Sequence, residues 1–251
     1  MNILYSVRTS QKRLPPPARS PSRARFDSLT YHEGELRIAL DPRSPARLVP
    51  PIAAYHRRIL DIGCGMGQTL VALNVPEHVE AFGVDCDRRA IEAGKRIIPR
   101  NASLLCAAGE NLPFPDEYFD FVFSRLALPY TNLQQVLREI SRTLKPGGDT
   151  WLALHSFSML RRRFLRALSH GDIRHMACCS YVLLNGLLFT FFGMQFSVMG
   201  RNETYQTISG MKAALKRAGL TCTSVEPERF FVMRGTKPLK PNKRNGLTAW
   251  S

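Results

Sequence analysis

The sequence predicts an α/β protein with a doubly wound, mostly parallel, seven-stranded sheet and a helical insert after the fifth strand. Two observations lead to this fold class. Between residues 58 and 155, short apolar runs alternate with segments of helical periodicity, and a glycine-rich turn directly follows the first run. Strands that alternate with helices form parallel sheets covered on both faces. A chain of 251 residues is long enough for one such domain with added segments.

The predicted strands are apolar runs bounded by turn residues. They cover residues 58–62, 79–84, 103–107, 119–124, 150–155, 221–226 and 230–236. Helical spacing of apolar residues predicts helices at 68–73, 88–98, 133–144 and 208–218. Lys145, Pro146, Gly147 and Gly148 are expected to stop the third of these helices and form a turn before the fifth strand.

Charge separates the predicted domain from its tails. The net charge is +15, and residues 1–51 contribute nine basic and four acidic groups, while residues 237–251 contribute four basic groups and no acidic one. We therefore expect a basic Pro/Arg/Ser-rich arm at 1–51 that is largely disordered, a domain at 52–236 and a basic tail at 237–251. An apolar content of 44% excludes a wholly disordered chain.

The cysteine pattern favours a reducing compartment. None of the six cysteines forms a CxxC pair or a Cys/His pair with metal-ligand spacing, so no metal site is predicted. Residues 1–25 contain six basic and no acidic residues, which is compatible with a mitochondrial targeting segment. Pro15, Pro16 and Pro17 oppose the amphipathic helix of such a segment, so the expected location is cytoplasmic, with mitochondrial as the alternative.

The turn after the first strand indicates a ligand that contains adenosine. Gly63, Gly65 and Gly67 let backbone pass close to a ligand, but Gln68 stands where a dinucleotide fingerprint has its third glycine. The sequence also lacks the Gly-Lys-Ser/Thr of a phosphate-binding loop. Asp85 ends the second strand, where a carboxylate can accept both hydroxyls of a ribose. These observations fit an adenosine without phosphates.

Four segments in order resemble class I S-adenosylmethionine-dependent methyltransferases. They are LDIGCGMG at 60–67, GVD at 83–85, ENLPFPD at 110–116 and LKPGG at 144–148. The resemblance implies a Rossmann-like fold and S-adenosylmethionine as the cofactor. It also implies a set of cofactor-binding residues, with the methionine moiety, the ribose and the adenine contacted in turn. This set is Asp61, Gly63, Cys64, Gly65, Gly67, Asp85, Cys86, Gly109, Glu110 and Ser124. Ala108 departs from the family pattern, because many relatives have an aspartate there.

Methyl transfer needs chiefly a nucleophile held in line with the S–CH₃ bond, so a general base is optional. If the acceptor is a hydroxyl or an acidic carbon, the candidates for acid–base catalysis lie near the carboxyl edge of the sheet. His155 ends the fifth strand, Tyr130 follows the fourth, and Glu203 and Tyr205 precede the last helix.

The resemblance implies that the insert, at about 156–206, covers the substrate. Residues 176–200 contain no charged side chain and are long enough to span a bilayer. A single crossing would place the last helix and strands on the wrong side, so an apolar lid is favoured, with a surface that dips into a membrane as the alternative. An apolar lid implies a small apolar or lipid-like acceptor, such as a quinone, a terpenoid or an aromatic precursor. Arg161, Arg162, Arg163 and Arg166 are available for an acidic group on that acceptor.

Two other functions stay open at this stage. The charge of +15 motivates methylation of RNA or protein, although no nucleic-acid-binding module with interleaved aromatic residues is found, so nucleic acid is the less favoured partner. Ala108 and the long tails motivate a non-catalytic binding or assembly factor with a methyltransferase fold. The oligomeric state is left open.

Overall fold

A computed structural model describes residues 27–198, 200, 202–227 and 230–240. Within this part, seven strands form one sheet. The strands are β1 (Arg58–Ile62), β2 (Glu80–Asp85), β3 (Ala102–Cys106), β4 (Phe119–Arg125), β5 (Leu144–Leu154), β6 (Thr221–Glu226) and β7 (Phe231–Thr236). The helices are α1 (Ser28–Leu40), α2 (Gln68–Leu73), α3 (Arg88–Gly94), α4 (Leu133–Thr143), α5 (Phe157–Ser169), α6 (Ile173–Phe192) and α7 (Ile208–Arg217).

The strand order is β3-β2-β1-β4-β5-β7-β6. All pairs are parallel except those of β7, which runs antiparallel to both β5 and β6. The chain order reverses between β1 and β4, which creates a crevice at the carboxyl ends of these two strands. The doubly wound, seven-stranded sheet predicted from the sequence is confirmed, and the crevice is where its ligand site is expected.

Apolar side chains of the central strands alternate between two cores, one on each face of the sheet. Leu60 and Val122 face one core together with α4 and α7. Ile59 and Phe121 face the other, which includes Leu70 of α2 and Ile91 of α3. The helices therefore hold the crevice from both sides.

Five helices begin at a polar side chain that accepts a backbone N–H of the first turn, which satisfies groups that the helix itself leaves unpaired. These residues are Asp87, Asn132, Ser156, Asp172 and Thr207. Ser156 and Asp172 start α5 and α6, so local sequence as well as packing defines the two helices of the insert.

The structure differs from the sequence prediction in the length of α3, which ends at Gly94 rather than at residue 98, and at two further places. β5 begins at Leu144 rather than at residue 150, because Leu144 and Asp149 pair with Phe119 and Phe121 of β4, and the residues predicted as a turn form an irregularity between these two pairs. Residues 28–40, assigned to a largely disordered arm, form α1. The rest of that arm up to residue 26, and the tail from residue 241, lie outside the described residues.

A partly buried ion pair fastens α1 to the domain. Arg125 Nη1, at the end of β4, lies 2.8 Å from Glu35 Oε2, and the Arg125 side chain is 7% exposed. Its Nε also donates to Thr69 Oγ1. The Pro and Arg content of residues 1–51 indicated disorder, so α1 was not predicted from the sequence. In the folded protein, the ion pair with Arg125 stabilises this helix.

Replacing Glu35 with Gln is expected to destabilise the protein by about 2 kcal/mol, because Arg125 stays buried without a countercharge. Urea unfolding measures this change in the free energy of unfolding. Glu33→Gln, at an exposed position of the same helix, is the matched control and should change stability by less than about 0.5 kcal/mol. Equal stability of the two variants would show that the ion pair does not hold α1.

Candidate active site

The turn after β1 brings backbone atoms of residues without side chains to the crevice. Gly63, Gly65 and Gly67 have φ values of 73°, 56° and 77°, which other residues rarely adopt. A side-chain carbon on Gly63 would overlap Ala127, and one on Gly65 would overlap the ring of His32. Glycine at these positions is therefore required both by the turn and by the closeness of its neighbours.

Asp61 ends β1 beside this turn, with 1% of its surface exposed. Neither of its carboxylate oxygens has a hydrogen-bond partner within the described residues. Burial raises the pKa of Asp61 to about 7, with Arg125 opposing and Asp85 adding to the shift. Buried carboxylates are normally paired, so this one indicates a ligand group that carries a proton or a positive charge.

Asp85 ends β2 and supports the same turn. Its Oδ2 accepts a hydrogen bond from the Gly65 N–H at 2.8 Å, and its Oδ1 accepts one from the Asp87 N–H at 2.9 Å. Each carboxylate oxygen can accept a second hydrogen bond. Asp85 can thus brace the glycine turn and still receive the hydroxyls of a ribose.

The side chains of two predicted cofactor-binding residues lie in the core. Cys64 is 1% exposed and packs with the core residues of β1 and β2, where burial raises the pKa of its thiol. Ser124 is fully buried and its hydroxyl donates to the Ile62 carbonyl at 2.7 Å. Neither side chain is therefore placed to contact a ligand in the crevice. Cys86, in contrast, is exposed just after Asp85.

The predicted adenine loop is tied to the start of α4. Glu110 Oε1 accepts from the Asn132 N–H at 2.9 Å, and the Glu110 carbonyl accepts from Gln135 Nε2. A side-chain carbon on Gly109 would lie 2.9 Å from Ile62, so the loop packs closely on the end of β1. The structure brings this loop to the carboxyl edge of the sheet, as the resemblance implied.

Replacing Asp85 with Ala is expected to weaken cofactor binding by about 1.5–3 kcal/mol, since a charged acceptor of ligand hydroxyls is lost. The same variant should lose about 1–2 kcal/mol of folding stability, because two backbone N–H groups lose their acceptor. Calorimetric titration and urea unfolding measure the two effects. Asp85→Asn keeps an acceptor and should show smaller losses in both, whereas unchanged affinity in Asp85→Ala would contradict the assignment.

Three of the four catalytic candidates lie together beyond the crevice. The rings of Tyr130 and His155 meet edge to face, with centroids 5.1 Å apart. Glu203 is 7% exposed and forms an ion pair with Arg163 of α5, with Arg163 Nη1 and Glu203 Oε1 2.5 Å apart. The buried segment after Glu203 is fixed to β5, because Gln206 exchanges two hydrogen bonds with the backbone of His155.

Electrostatics keeps both rings of this cluster neutral near pH 7. Burial lowers the pKa of His155 to about 4, with Glu203 opposing and Arg163 adding to the shift. The pKa of Tyr130 is raised to about 12 by removal from water and by Glu203. A neutral imidazole can accept a proton and a neutral phenol can donate a hydrogen bond, so the pair can contact a polar group of an acceptor.

Tyr205 lies outside this cluster. Its ring packs under α6, where a side chain on Gly186 would overlap it, and contacts Phe157 of α5 with centroids 5.6 Å apart. The pKa of Tyr205 is raised by burial alone. The residue therefore supports the insert, and the sequence prediction of a catalytic role for Tyr205 does not agree with its placement.

Helix α1 contributes residues that the sequence analysis missed. His32 lies over Gly65, and Tyr31 interacts electrostatically with Tyr130. No motif marks these side chains, and their position over the crevice depends on contacts of α1 with the domain, among them the ion pair of Glu35 with Arg125. Within the residues that the structure describes, no group of three or more His, Cys, Asp and Glu side chains could hold a metal ion.

Residues 60–152, which contain β1 to β5 and the glycine turn, match the family described as a methyltransferase domain. This central part of the chain is therefore similar to methyltransferases. A chain of the solved complex that contains the Haloferax volcanii Trm112 methyltransferase activator shares the fold, with a TM-score of 0.59 and 18% identity. The match covers 86% of this chain and 95% of that one.

Two curated relatives cover most of this chain. Demethylmenaquinone methyltransferase of Bacillus mycoides is 25% identical over 202 residues, which is 74% of this chain and 79% of that protein. Arginine-hydroxylase NDUFAF5, mitochondrial, of Rattus norvegicus is 35% identical over 216 residues, which is 86% of this chain and 54% of that protein. Several other curated relatives are matched over only 20% to 52% of their own length.

The described residues fit S-adenosylmethionine, the cofactor that the resemblance implies. The unpaired Asp61 carboxylate suits the ammonium group of a methionine moiety, and Asp85 suits the two hydroxyls of a ribose. The glycine turn offers a cradle that any side chain would fill. S-adenosylmethionine combines these features, and none of them requires a pyrophosphate.

Proposed function

We propose that this methyltransferase transfers a methyl group from S-adenosylmethionine to a small apolar or lipid-like acceptor. The observation that carries the methyl-transfer proposal is the buried Asp61 carboxylate, which has no partner among the described residues and lies beside the glycine cradle. A protein that used the fold only as a scaffold would have no physical reason to keep this charge buried, because an unpaired buried carboxylate destabilises the fold.

When bound, the cofactor supplies a methyl group that its sulfonium already activates. Asp61 holds the cationic end of the ligand, Asp85 holds the ribose, and α1 with His32 shields the turn from water. Tyr130 donates a hydrogen bond to a polar atom of the acceptor. Neutral His155 would accept the proton that the acceptor loses when it receives the methyl group.

A groove beside the catalytic cluster supports an apolar acceptor. It lies between α5 and α6, has a volume of about 200 Å³, and is lined mainly by apolar side chains, among them Phe157, Leu160, Phe164 and Leu183. Phe157 also contacts Tyr205, which is two residues from Glu203 of the cluster. Cys179 also lines the groove, and it lies close enough to Arg163 and Glu203 for their charges to affect the pKa of its thiol, so the groove adjoins this part of the cluster.

The names of the relatives support a quinone-like acceptor but include another chemistry. One relative is a demethylmenaquinone methyltransferase. Another is named an arginine hydroxylase, so a shared fold alone does not establish methyl transfer. The sequence suggested that the arginines of the insert bind an acidic group on the acceptor. The structure supports this less well for Arg163, because Arg163 is already paired with Glu203.

The test is incubation of the full chain with S-adenosylmethionine labelled in its methyl group. Apolar extract, polar metabolites, RNA and protein are offered as separate fractions. We expect label in the apolar fraction. Glu33→Gln, altered at an exposed site, is the matched active control, and Asp61→Asn is the inactive one.

Each other outcome contradicts a defined part of the proposal. Label in RNA that is lost at high salt, or label in protein, would replace the acceptor class. Cofactor binding in calorimetry without transfer to any fraction would contradict methyl transfer. Absence of detectable cofactor binding would favour the non-catalytic binding or assembly factor.

A further inference from the structure

Helix α6 is apolar on two opposite faces. Its inner side, which includes Cys179, Val182 and Phe189, is buried against the rest of the protein. Its opposite side also consists of apolar residues, and these are exposed to solvent. We call this set the outer face: Ile173, Leu184, Leu187, Phe191 and Phe192 of α6, with Met194 just after it. Phe191 and Ile173 are 73% and 79% exposed.

Exposure on this scale is unusual for a helix of this composition. By length and composition, α6 could cross a membrane, but only 28% of its most apolar window is buried. A core helix of similar composition would be mostly buried, and helices that are apolar all round are found either in cores or in lipid. A contiguous apolar surface of this kind is normally covered by a partner.

The packing of α6 excludes a crossing of the bilayer. Phe189 belongs to the core shared with α4 and α7, and the Thr190 hydroxyl lies 2.9 Å from that of Thr207. The Asn185 side chain bonds the backbone of Phe196 and Glu203. Because the chain then returns to the sheet as β6 and β7, α6 can only lie with its axis along a surface.

The charge around the outer face indicates which kind of surface this face contacts. Residues 156–198 contain five arginines and one aspartate. Arg163 is paired with Glu203, whereas Arg161, Arg162, Arg166 and Arg174 are exposed. At the turn between α5 and α6, a pocket of about 400 Å³ is lined by Arg166, His170, Asp172 and His175 among others. An apolar face beside excess positive charge is complementary to anionic lipid.

The same charge opposes a second copy of this chain as the covering partner. A two-fold contact through the outer face would bring the exposed arginines of both copies near one another, and like charges brought together in an interface destabilise it. The groove between α5 and α6 also reaches this side of the molecule, because Phe157 and Leu183 both line it and are exposed. A lipid surface would cover the groove and the outer face together.

We propose that the outer face docks on an anionic lipid bilayer, with α6 lying in the interface and the arginines of α5 and α6 contacting lipid headgroups. This surface lies outside the methyl-transfer site, so docking does not depend on the identity of the acceptor. Docking places the groove between α5 and α6 against the membrane.

The experiment is co-sedimentation of the full chain with vesicles of phosphatidylcholine and phosphatidylglycerol, and with vesicles of phosphatidylcholine alone. Leu184→Ser/Leu187→Ser/Phe191→Ser should weaken binding to the mixed vesicles about 100-fold, because apolar area no longer enters the bilayer. Arg161→Gln/Arg162→Gln should weaken it about tenfold on the mixed vesicles and little on phosphatidylcholine alone. Inorganic phosphate should not release the wild-type protein beyond the effect of its ionic strength.

Matched controls change exposed residues elsewhere. Leu40→Ser/Ile97→Ser and Arg96→Gln/Arg100→Gln alter exposed positions on α1 and around α3, and both should bind vesicles like the wild type. Unchanged cofactor affinity and circular dichroism show that each variant is folded. The basic arm before residue 27 is present in every variant, so it does not affect the comparison.

Three results would overturn the proposal. The first is a wild-type protein that stays in solution with both kinds of vesicle. The second is a triple variant that sediments as well as the wild type. The third is a wild-type dimer in light scattering that becomes a monomer in the triple variant without any vesicle binding, which would assign the outer face to a second copy of the chain.

Discussion

Replacing Asp61 with Asn is expected to weaken S-adenosylmethionine binding by about 100-fold, because a charge-assisted contact to the ligand becomes a neutral one. The same variant is expected to be more stable than the wild type without cofactor. Its carboxylate has no partner in the described residues, and burial raises its pKa to about 7. Removing that charge should stabilise the cofactor-free protein by about 2 kcal/mol at pH 8. This gain is part of the free energy that ionising the buried carboxyl costs, as its raised pKa implies.

The pH dependence has a definite sign. The unfolded chain ionises this carboxyl near its ordinary pKa of 3.8, whereas the folded protein keeps the proton until about pH 7. The contribution of Asp61 to stability is therefore present at low pH and is lost as pH rises through this window. Because the cationic ligand binds the ionised form, affinity should fall about tenfold from pH 8 to pH 6.

Calorimetric titration at several pH values and urea unfolding measure these effects. Asp61→Asn should abolish the pH dependence of affinity between pH 6 and 8. Asp41→Asn, at an exposed position after α1, is the control and should leave affinity and stability within error. An Asp61→Asn variant that binds the cofactor normally would show that the buried carboxylate serves only the fold.

Those parts of the site that depend on local backbone chemistry could be predicted from the sequence. The glycine turn and the strand-end residues Asp61 and Asp85 follow from strand, turn and helix signals that neighbours in the chain supply. The adenine loop came from the resemblance instead. Both kinds of inference placed residues at the carboxyl edge of the sheet, where the structure brings them together.

Features that depend on contacts distant in the chain could not be predicted. Helix α1 is fixed by Glu35 and Arg125, which are 90 residues apart, and its sequence lies within a stretch whose composition suggests disorder. The pairing of Arg163 with Glu203, 40 residues apart, also depends on the fold. It changes an arginine that the sequence offered for an acidic substrate into part of the catalytic cluster.

The apolar insert shows the same distinction. The absence of charge from residue 176 to 200 predicted an apolar cover, and the hydropathy of α6 agrees. Which of its faces meets the protein depends on packing, because both faces are apolar. Leu187 and Phe191 lie on the outer face, so the inner residues of α6, such as Val182 and Phe189, are the ones that pack toward the domain.

Replacing His155 with Gln is expected to slow methyl transfer about 100-fold to the fraction that accepts label, while cofactor affinity stays unchanged. The pKa of His155 is lowered to about 4, so the imidazole is neutral at physiological pH, and Gln cannot accept a proton as it does. Transfer rate at saturating cofactor measures the effect. His78→Gln, at an exposed position, is the control, and a normal rate in His155→Gln would contradict the role of His155 as the proton acceptor.

Acid stability tests the same residue without an acceptor. Between pH 6.5 and about 4, the unfolded chain binds a proton on His155 that the folded protein does not, so stability is lost as pH falls, by about 3 kcal/mol over the whole window. Asp61 has the opposite slope over most of this range, and in the wild type the two contributions largely cancel. Urea unfolding should therefore show stability that decreases with rising pH in His155→Gln and increases with rising pH in Asp61→Asn. Parallel curves for the two variants would mean that neither group carries the pKa that its burial implies.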